Sequence, residues 1–333
     1  MSVSKFLLPV DTAPMEAKLA ASIPVEDRGW QYEPKWDGFR CLAFKSGDAV
    51  DIRAKSGKPL GRYFPELLDR LRNLPAAQFV IDGEILIERV GEYSFDALQM
   101  RLHPAESRIR KLAAETPAKL MLFDMLADTE GEVLVERPLS DRRTALEAFV
   151  KSLATPGVEL SPVSLDRKQA QIWLKGAGGK TDGIVAKQVD GCYLPGERAM
   201  LKVKRMRTAD CVVGGFRYLA DRPEVGSLLL GLYNEDGRLD HVGFTSTISN
   251  GERGALTKRL KTLREPPGFT GNAPGGQSRW STERSGEWEP LRPELVVEVR
   301  FDHVTGNRFR HGTKLLRWRP DKAPRHCTFE QMS

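Results

Sequence analysis

Apolar positions along the chain follow two different spacings, which is typical of a mixed α+β protein. Short apolar or alternating runs predict strands at 30–32, 39–44, 49–53, 119–126 and 199–204. The run at 80–87 is interrupted by Asp82-Gly83 and predicts a hairpin. Amphipathic spacing predicts helices at 13–22, 65–73, 94–102, 138–151 and 166–176. Ser94 and Asp166 are the expected N-caps, and residues 178–181 are expected to form a loop.

The pattern changes after residue 205. Residues 205–208 are expected to be a linker, and the segment 265–290 is expected to be a long loop. Strands are predicted at 210–218, 226–234, 239–247, 294–301 and 313–319, with one helix at 251–263. Five short strands with one interposed helix are typical of an oligonucleotide/oligosaccharide-binding (OB) barrel. We therefore expect two domains, 1–205 and 206–333.

Composition narrows the class of protein. The 333 residues carry a formal net charge of +6 and a pI of about 9.1, which favours a polyanionic partner. No apolar run is long enough to span a membrane, and the N-terminus does not resemble a signal peptide. The four cysteines and five histidines lack metal-ligand spacing, so neither a zinc site nor a disulfide framework is expected. A reducing cytoplasm fits these features.

Lys35 lies between a proline and an aromatic residue, directly before the turn signal Asp37-Gly38. Predicted strands flank it on both sides, so the lysine is expected at the end of a strand, where its side chain can enter a cleft. A lysine amine is nucleophilic only when desolvation or neighbouring cations lower its pKa. Taken alone, the segment is more typical of a surface lysine beside a turn.

Residues 35–40 (Lys-Trp-Asp-Gly-Phe-Arg) resemble the Lys-x-Asp-Gly-x-Arg motif of the covalent nucleotidyltransferases, which include ATP-dependent DNA ligases, RNA ligases and capping enzymes. Further segments resemble the family's motifs in the family's order. They are 55–57 (Lys-Ser-Gly), 82–84 (Asp-Gly-Glu), 123–124 (Phe-Asp), 182–187 (Asp-Gly-Ile-Val-Ala-Lys), 202–204 (Lys-Val-Lys) and 317–322 (Arg-Trp-Arg-Pro-Asp-Lys). Lys55 replaces the usual arginine and Asp182 the commoner glutamate.

The resemblance implies a role for each matching position. Lys35 would carry AMP as a phosphoramidate, and the implied catalytic set is Lys35, Asp37, Lys187, Lys202, Lys204 and Lys322. The implied nucleotide contacts also include Glu33, Arg40, Lys55, Glu84, Phe123, Arg317, Arg319 and Asp321. Glu84 and Asp182 would bind Mg²⁺ or Mn²⁺. Phe123 could instead be a core residue, and the Lys202/Lys204 strand could be a solvated edge.

The motif set looks most like a short bacterial DNA ligase C, with ATP as cofactor and nicked double-stranded DNA as substrate. We expect an α+β fold, with an ATP-grasp-like nucleotidyltransferase domain of antiparallel sheets and helices followed by an all-β OB-fold domain. The expected protein is a monomer in the bacterial cytoplasm, associated with the nucleoid, and repair polymerases or end-binding proteins are possible partners. An RNA ligase or capping-type enzyme, or a non-catalytic OB-type nucleic-acid-binding protein, remains an alternative.

Overall fold

The computed structural model describes residues 6–25, 29–153, 155–178, 181–275 and 287–332. It divides the chain into two compact units, Met1–Arg205 and Met206–Ser333. Gly179 and Lys180 of the predicted 178–181 loop lie outside the described residues, as do residues 276–286 of the predicted 265–290 loop.

The first unit contains eleven strands and five α-helices among its described residues. The strands are β1 (Ala17–Leu19), β2 (Trp30–Trp36), β3 (Phe39–Ser46), β4 (Ala49–Ala54), β5 (Gln78–Leu86), β6 (Glu88–Arg89), β7 (Glu92–Tyr93), β8 (Lys119–Ala127), β9 (Val158–Leu160), β10 (Thr181–Gln188) and β11 (Met200–Lys204). The helices are α1 (Pro65–Arg72), α2 (Phe95–Arg101), α3 (Glu106–Glu115), α4 (Leu139–Ser152) and α5 (Arg167–Lys175).

Two main sheets build the first unit, and β6 and β7 form a separate two-stranded sheet. The smaller has the order β1-β11-β10-β2 and the larger the order β4-β3-β5-β8-β9, and most neighbouring strands are antiparallel. Strands with apolar residues on both faces are expected in the interior of a layered domain. The larger sheet packs one face on α1, α2 and α4, and the smaller sheet packs one face on α5. Apolar residues of both sheets, including Leu42, Phe44, Val80, Leu126 and Met200, meet in one buried cluster.

The second unit is a barrel. Its strands are β12 (Arg207–Tyr218), β13 (Val225–Tyr233), β14 (Leu239–Thr245), β15 (Glu289–Pro290), β16 (Val296–Phe301), β17 (Val304–Thr305), β18 (Arg308–Phe309) and β19 (Lys314–Trp318), and its helix is α6 (Asn250–Lys261). The main sheet runs β14-β13-β12-β16-β19. Its two outer strands meet where Thr245 Oγ1 donates to the carbonyl of Thr313 at 2.9 Å, which closes the sheet on itself.

Several elements follow the predicted pattern. All five predicted barrel strands and the barrel helix are present within a few residues of their expected bounds. The two predicted N-caps are also present, since Ser94 accepts from the backbone N–H of Ala97 and Asp166 from that of Lys168. Helix α3 has no counterpart among the predicted elements.

Three local predictions are wrong. Residues 13–22 form no helix, because Ala17–Leu19 adds as a parallel edge strand to β11. Asp82-Gly83 is not a hairpin turn but the middle of the continuous strand β5, where a Cβ at Gly83 would lie 2.7 Å from a carbonyl oxygen of the neighbouring strand β8. Residues 207–208 are not linker, because strand β12 begins at Arg207.

Candidate active site

The Asp37-Gly38 turn joins two strands that belong to different sheets, β2 in the smaller and β3 in the larger. The strands therefore diverge at this turn instead of pairing as a hairpin, and a cleft of about 220 Å³ lies beside it. Lys35, next to the last residue of β2, lines this cleft and keeps 23% of its side chain exposed. Gly38 is required at the turn because a Cβ there would meet the carbonyl oxygen of Ile85.

Three lysines lie on one face of the smaller sheet. Lys35 pairs in register with Gly183, and Gly183 pairs with Lys204, so Lys35 and Lys204 flank the same position of β10. Lys202 lies two residues before Lys204 on the same strand and therefore on the same face. Loss of hydration, followed by repulsion from Lys35, Lys204 and Lys55, lowers the pKa of Lys202 below its ordinary value.

Asp182 neutralises two of these lysines. Its Oδ2 lies 2.9 Å from Lys35 Nζ and 3.1 Å from Lys204 Nζ, and the side chain is 7% exposed. Strict alternation would turn Asp182 away from the lysine face, but a register shift between Thr181 and Gly183 interrupts the β10–β2 ladder. Such bulges re-aim side chains next to functional sites. Gly183 permits the close approach of β11, since a Cβ there would meet the backbone of Val203.

Lys187 forms a second ion pair deeper in the cleft. Its Nζ lies 2.9 Å from Glu33 Oε1, and both side chains are 4% exposed. Gln31 Nε2 donates to the same carboxylate oxygen at 2.9 Å, which helps to satisfy the buried acid. Lys187 Nζ also lies 4.8 Å from the centroid of the Phe123 ring. Phe123 is half-buried and lines the cleft, so it is not a core residue.

Arg40 occupies the opposite wall, on β3. Its Nε and Nη2 donate to the two carboxylate oxygens of Asp82 at 3.1 and 2.7 Å. Burial opposes the charge of Arg40, but the Asp82 carboxylate outweighs it and holds the pKa of Arg40 above its ordinary value. Arg40 Cζ lies 5.4 Å from the centroid of Phe123, so this ring has a cation on either wall of the cleft.

Glu84, on β5, pairs in register with Arg40 on β3 and accepts a hydrogen bond from the backbone N–H of Gly38 at 3.0 Å. Loss of hydration outweighs the nearby positive charges of Lys35 and Arg40 and raises the pKa of Glu84 to about 7. Lys55 closes the rim of the cleft with an ion pair of 2.9 Å to Glu16, and it lowers the pKa of that acid.

The second unit gathers the basic motif of residues 317–322 around one acid. Arg319 Nη1 donates to both carboxylate oxygens of Asp210 at 2.8 and 3.0 Å, and Lys322 Nζ lies 3.7 Å from Asp210 Oδ2. Asp321 accepts from Arg319, which lowers the pKa of Asp321 to about 2. Arg317 pairs instead with Glu298 at 2.6 Å.

The first-unit candidates thus meet around one cleft. Its lining includes Glu33, Lys35, Arg40, Lys55, Glu84, Phe123, Lys187 and Lys202. Asp182 contacts Lys35 directly, and Lys204 is linked to Lys35 through Asp182. Asp37 lies in the adjoining turn. Arg317, Arg319, Asp321 and Lys322 form a separate cluster on the second unit. Sequence reasoning missed Glu16 and Tyr193, and it placed Asp82 in the 82–84 motif without giving it a role.

Two further observations concern metal ions and membranes. Among the described residues, no group of three or more His, Cys, Asp and Glu side chains is arranged to hold a metal ion. No helix in the described part of the chain is long and apolar enough to cross a membrane.

Two family models match most of the chain. Residues 14–204 match the family described as ATP dependent DNA ligase domain, and residues 221–322 match the ATP dependent DNA ligase C terminal region. The chain is 44% identical over 331 residues to DNA ligase C1 of Mycolicibacterium smegmatis, an alignment that covers 96% of this chain and 93% of the relative. It is 41% identical over 339 residues to DNA ligase C of Mycobacterium tuberculosis, with coverages of 96% and 93%.

A solved structure described as mycobacterial DNA ligase D complexed with ATP and MES superimposes with a TM-score of 0.51 at 26% identity, covering 96% of this chain and 98% of that chain. The predicted fold class, a nucleotidyltransferase domain followed by an OB domain, is confirmed. The chain belongs to the ATP-dependent DNA ligases and, within them, to the DNA ligase C type.

Proposed function

We propose that this ligase seals nicks between a 5′-phosphate and a 3′-hydroxyl in double-stranded DNA, through AMP carried covalently on Lys35. The observation that carries the proposal is the position of Lys35 in the cleft. Lys35 lines the cleft with 23% of its side chain exposed, 2.9 Å from the Asp182 carboxylate that it shares with Lys204. Lys187, by contrast, is 4% exposed and paired with Glu33.

Three phosphoryl transfers make up the reaction. Once the Lys35 ammonium has released a proton to solvent, its nitrogen attacks the α-phosphorus of ATP, so that a P–N bond forms and the P–O bond to pyrophosphate breaks. The DNA 5′-phosphate then takes the AMP from Lys35, and the 3′-hydroxyl displaces the AMP to seal the strand. Such transfers depend on positioning and on cations placed where charge develops. Lys55, Lys187, Lys202 and Lys204 would supply these charges.

The nucleotide base and sugar have matching surroundings. Phe123 offers a ring face at the cleft, where a purine could stack. Arg40 and Glu84 lie side by side on the wall formed by β3 and β5. They would hold the ribose, since a charged donor and a carboxyl group can hydrogen-bond to its hydroxyls. Glu33 fixes Lys187, and Asp37 follows the nucleophile in the turn between the sheets.

The residues also fit a divalent cation. Mg²⁺ is commonly held by one or two carboxylates together with substrate phosphates, so a complete protein cage is not needed. Glu84 and Asp182 are the candidate ligands. Burial raises the pKa of Glu84 because the nearby positive charges do not fully compensate for its lost hydration. Bound Mg²⁺ or Mn²⁺ would neutralise phosphate charge.

The DNA would meet basic side chains on both units. A groove of about 1090 Å³ shares Arg40, Lys55 and Glu84 with the cleft and is also lined by Lys58 and Arg62. On the barrel, Lys314, Arg317 and Arg325 are exposed. Basic residues of this kind bind the phosphate backbone. We further propose that the enzyme acts as a monomer in DNA repair, in the cytoplasm at the nucleoid, where repair polymerases or end-binding proteins could recruit it.

The test is direct labelling. Incubation with α-labelled ATP should attach label to the wild-type protein and not to Lys35→Ala, on a denaturing gel. Lys18→Ala removes an exposed lysine of the same unit and is the matched control. Sealing of nicked DNA should be lost with the label, and nicked RNA should be sealed far more slowly. Label retained on folded Lys35→Ala would refute the assignment.

A further inference from the structure

We infer that Tyr193 is a positioning residue for the nucleotide: its hydroxyl, acting through Asp82, fixes the Arg40 guanidinium beside the Phe123 ring. Tyr193 lies outside the motifs that the sequence shares with the nucleotidyltransferases, and it does not line the cleft. The inference rests on the proposed role of the cleft as the ATP site.

The contacts form a continuous chain. Tyr193 Oη donates to Asp82 Oδ2 at 2.6 Å, and the same oxygen accepts from Arg40 Nη2 at 2.7 Å. Asp82 Oδ1 accepts from Arg40 Nε at 3.1 Å. The backbone N–H of Met15 donates to Tyr193 Oη at 3.0 Å, so the hydroxyl both donates and accepts. One hydrogen bond that the phenol donates and one that it accepts therefore fix the position of the hydroxyl.

Burial makes each of these contacts costly to lose. Asp82 is fully buried and Tyr193 is 2% exposed. A buried carboxylate is stable only when several donors replace its lost water, and one removed donor leaves that oxygen short of a partner. Burial, and then the Asp82 charge, raise the pKa of Tyr193, so the hydroxyl stays protonated and remains a donor.

The arrangement fixes the direction of Arg40. Two parallel N–H···O bonds to one carboxylate define the plane of a guanidinium as well as its place. The hydroxyl of Tyr193 fixes the carboxylate in turn, so that Arg40 Cζ stays 5.4 Å from the Phe123 centroid. Without the hydroxyl, Asp82 and Arg40 can rotate together, and Arg40 loses its alignment with any base or ribose held at Phe123.

The Tyr193 ring has a separate, structural role. It packs in the apolar cluster between the sheets with Met15, Leu42, Phe44 and Met200. Tyr193→Phe keeps this ring and removes only the hydroxyl, so the substitution separates positioning from packing. Tyr32→Phe is the matched control, because Tyr32 is a buried tyrosine of the same unit whose hydroxyl donates to the carbonyl of Pro24, away from Arg40.

ATP affinity is measured in the Lys35→Ala background, where binding does not depend on covalent transfer. We expect Tyr193→Phe to weaken ATP binding about tenfold, as the loss of one hydrogen bond to a charged group predicts. In the Lys35 enzyme the KM for ATP should rise by the same factor, whereas the rate at saturating ATP and the sealing of a pre-adenylylated nick should stay within about twofold. Tyr32→Phe should change neither quantity.

A double-mutant cycle decides whether the effect passes through Arg40. In Arg40→Ala, the added Tyr193→Phe substitution should weaken ATP binding by less than about twofold. Equal effects of Tyr193→Phe with and without Arg40 would overturn the inference, as would unchanged ATP affinity. If Tyr193→Phe does not fold, Asp82→Asn tests the same link and should weaken ATP binding similarly. Failure of wild-type labelling would instead refute the proposed function.

Discussion

Asp182 and Lys35 form an ion pair of 2.9 Å, and the same carboxylate oxygen of Asp182 lies 3.1 Å from Lys204. One acid therefore holds two ammonium groups at the edge of the cleft. Glutamate is the commoner residue at this motif position, but the bulge in β10 brings the shorter aspartate to the lysines. The pair explains how Lys35 is held before ATP binds.

Asp182→Asn should slow self-adenylylation at least about tenfold, because removal of one partner leaves partly buried charges without compensation. Two lysines that face each other without their shared acid should also repel. Asp182→Glu should retain most of the activity. Single-turnover labelling with ATP measures the rate, and Asp51→Asn, which breaks the Asp51–Arg53 pair of 2.7 Å elsewhere in this unit, is the control. Equal rates for wild type and Asp182→Asn would contradict this role.

Glu84 should give self-adenylylation a pH dependence centred near 7. Its pKa is raised to about 7, so the folded protein binds a proton that the unfolded chain has already released above a pKa of about 4.5. Stability from this group is therefore present at low pH and is lost as the pH rises between these values. The ionised form, which can hold ribose or metal, accumulates over the same range.

The comparison of wild type with Glu84→Gln isolates this group. Wild-type labelling should rise through pH 7, and the difference between the two proteins should shrink at low pH, where both carry a neutral side chain. Thermal melting at several pH values checks the stability change, since Glu84→Gln removes the titration. An identical pH profile for both proteins would show that Glu84 does not control this step.

Local signals predicted much of the fold. Apolar runs and N-caps depend on residues that are close in sequence. Strands such as 119–127 and the caps at Ser94 and Asp166 could therefore be recognised from the sequence. The error at Asp82-Gly83 has a physical reason. Gly83 allows a neighbouring strand to approach closely, and Asp82 pairs with Arg40. Both contacts involve residues distant in sequence, whereas the Asp-Gly dipeptide alone is typical of a turn.

Only the site residues that lie in short sequence motifs could be predicted from the sequence. Lys35 and Lys204 could be named from short patterns, but their shared contact with Asp182 depends on a register shift that no local pattern records. Tyr193 gave no signal at all, because its partner Asp82 is 111 residues away. Interactions of this kind follow from strand pairing and packing, which the sequence specifies only through the complete fold.

DNA affinity should fall steeply with salt, because each phosphate contact by a lysine or arginine releases a counterion. Lys314, which is exposed on β19 of the barrel, should make one such contact. Lys314→Ala should weaken binding to nicked DNA and reduce the slope of log affinity against log salt by about 1. Fluorescence anisotropy over a salt series measures the slope. Lys168→Ala, an exposed lysine on α5, should leave it unchanged, and an unchanged slope in Lys314→Ala would make Lys314 a solvated residue.

Lys322 should act in the first chemical step and not in the later ones. Its ammonium lies 3.7 Å from Asp210 and is 30% exposed, so it is held loosely enough to meet another anion. Pyrophosphate is a multiply charged leaving group, and a lysine placed on it stabilises charge that grows in the transition state of adenylylation. No pyrophosphate is present when AMP moves to DNA or when the strand is sealed.

Lys322→Ala should therefore slow self-adenylylation by at least about tenfold while leaving the sealing of a pre-adenylylated nick within about twofold of wild type. Single-turnover kinetics of both steps, with Lys258→Ala on α6 as an exposed-lysine control, make the comparison. Melting temperatures identify any general loss of structure, which would slow both steps. If both steps slow by the same factor in a folded variant, Lys322 contacts DNA phosphate or supports the barrel, because only a pyrophosphate contact confines its effect to the step in which pyrophosphate departs.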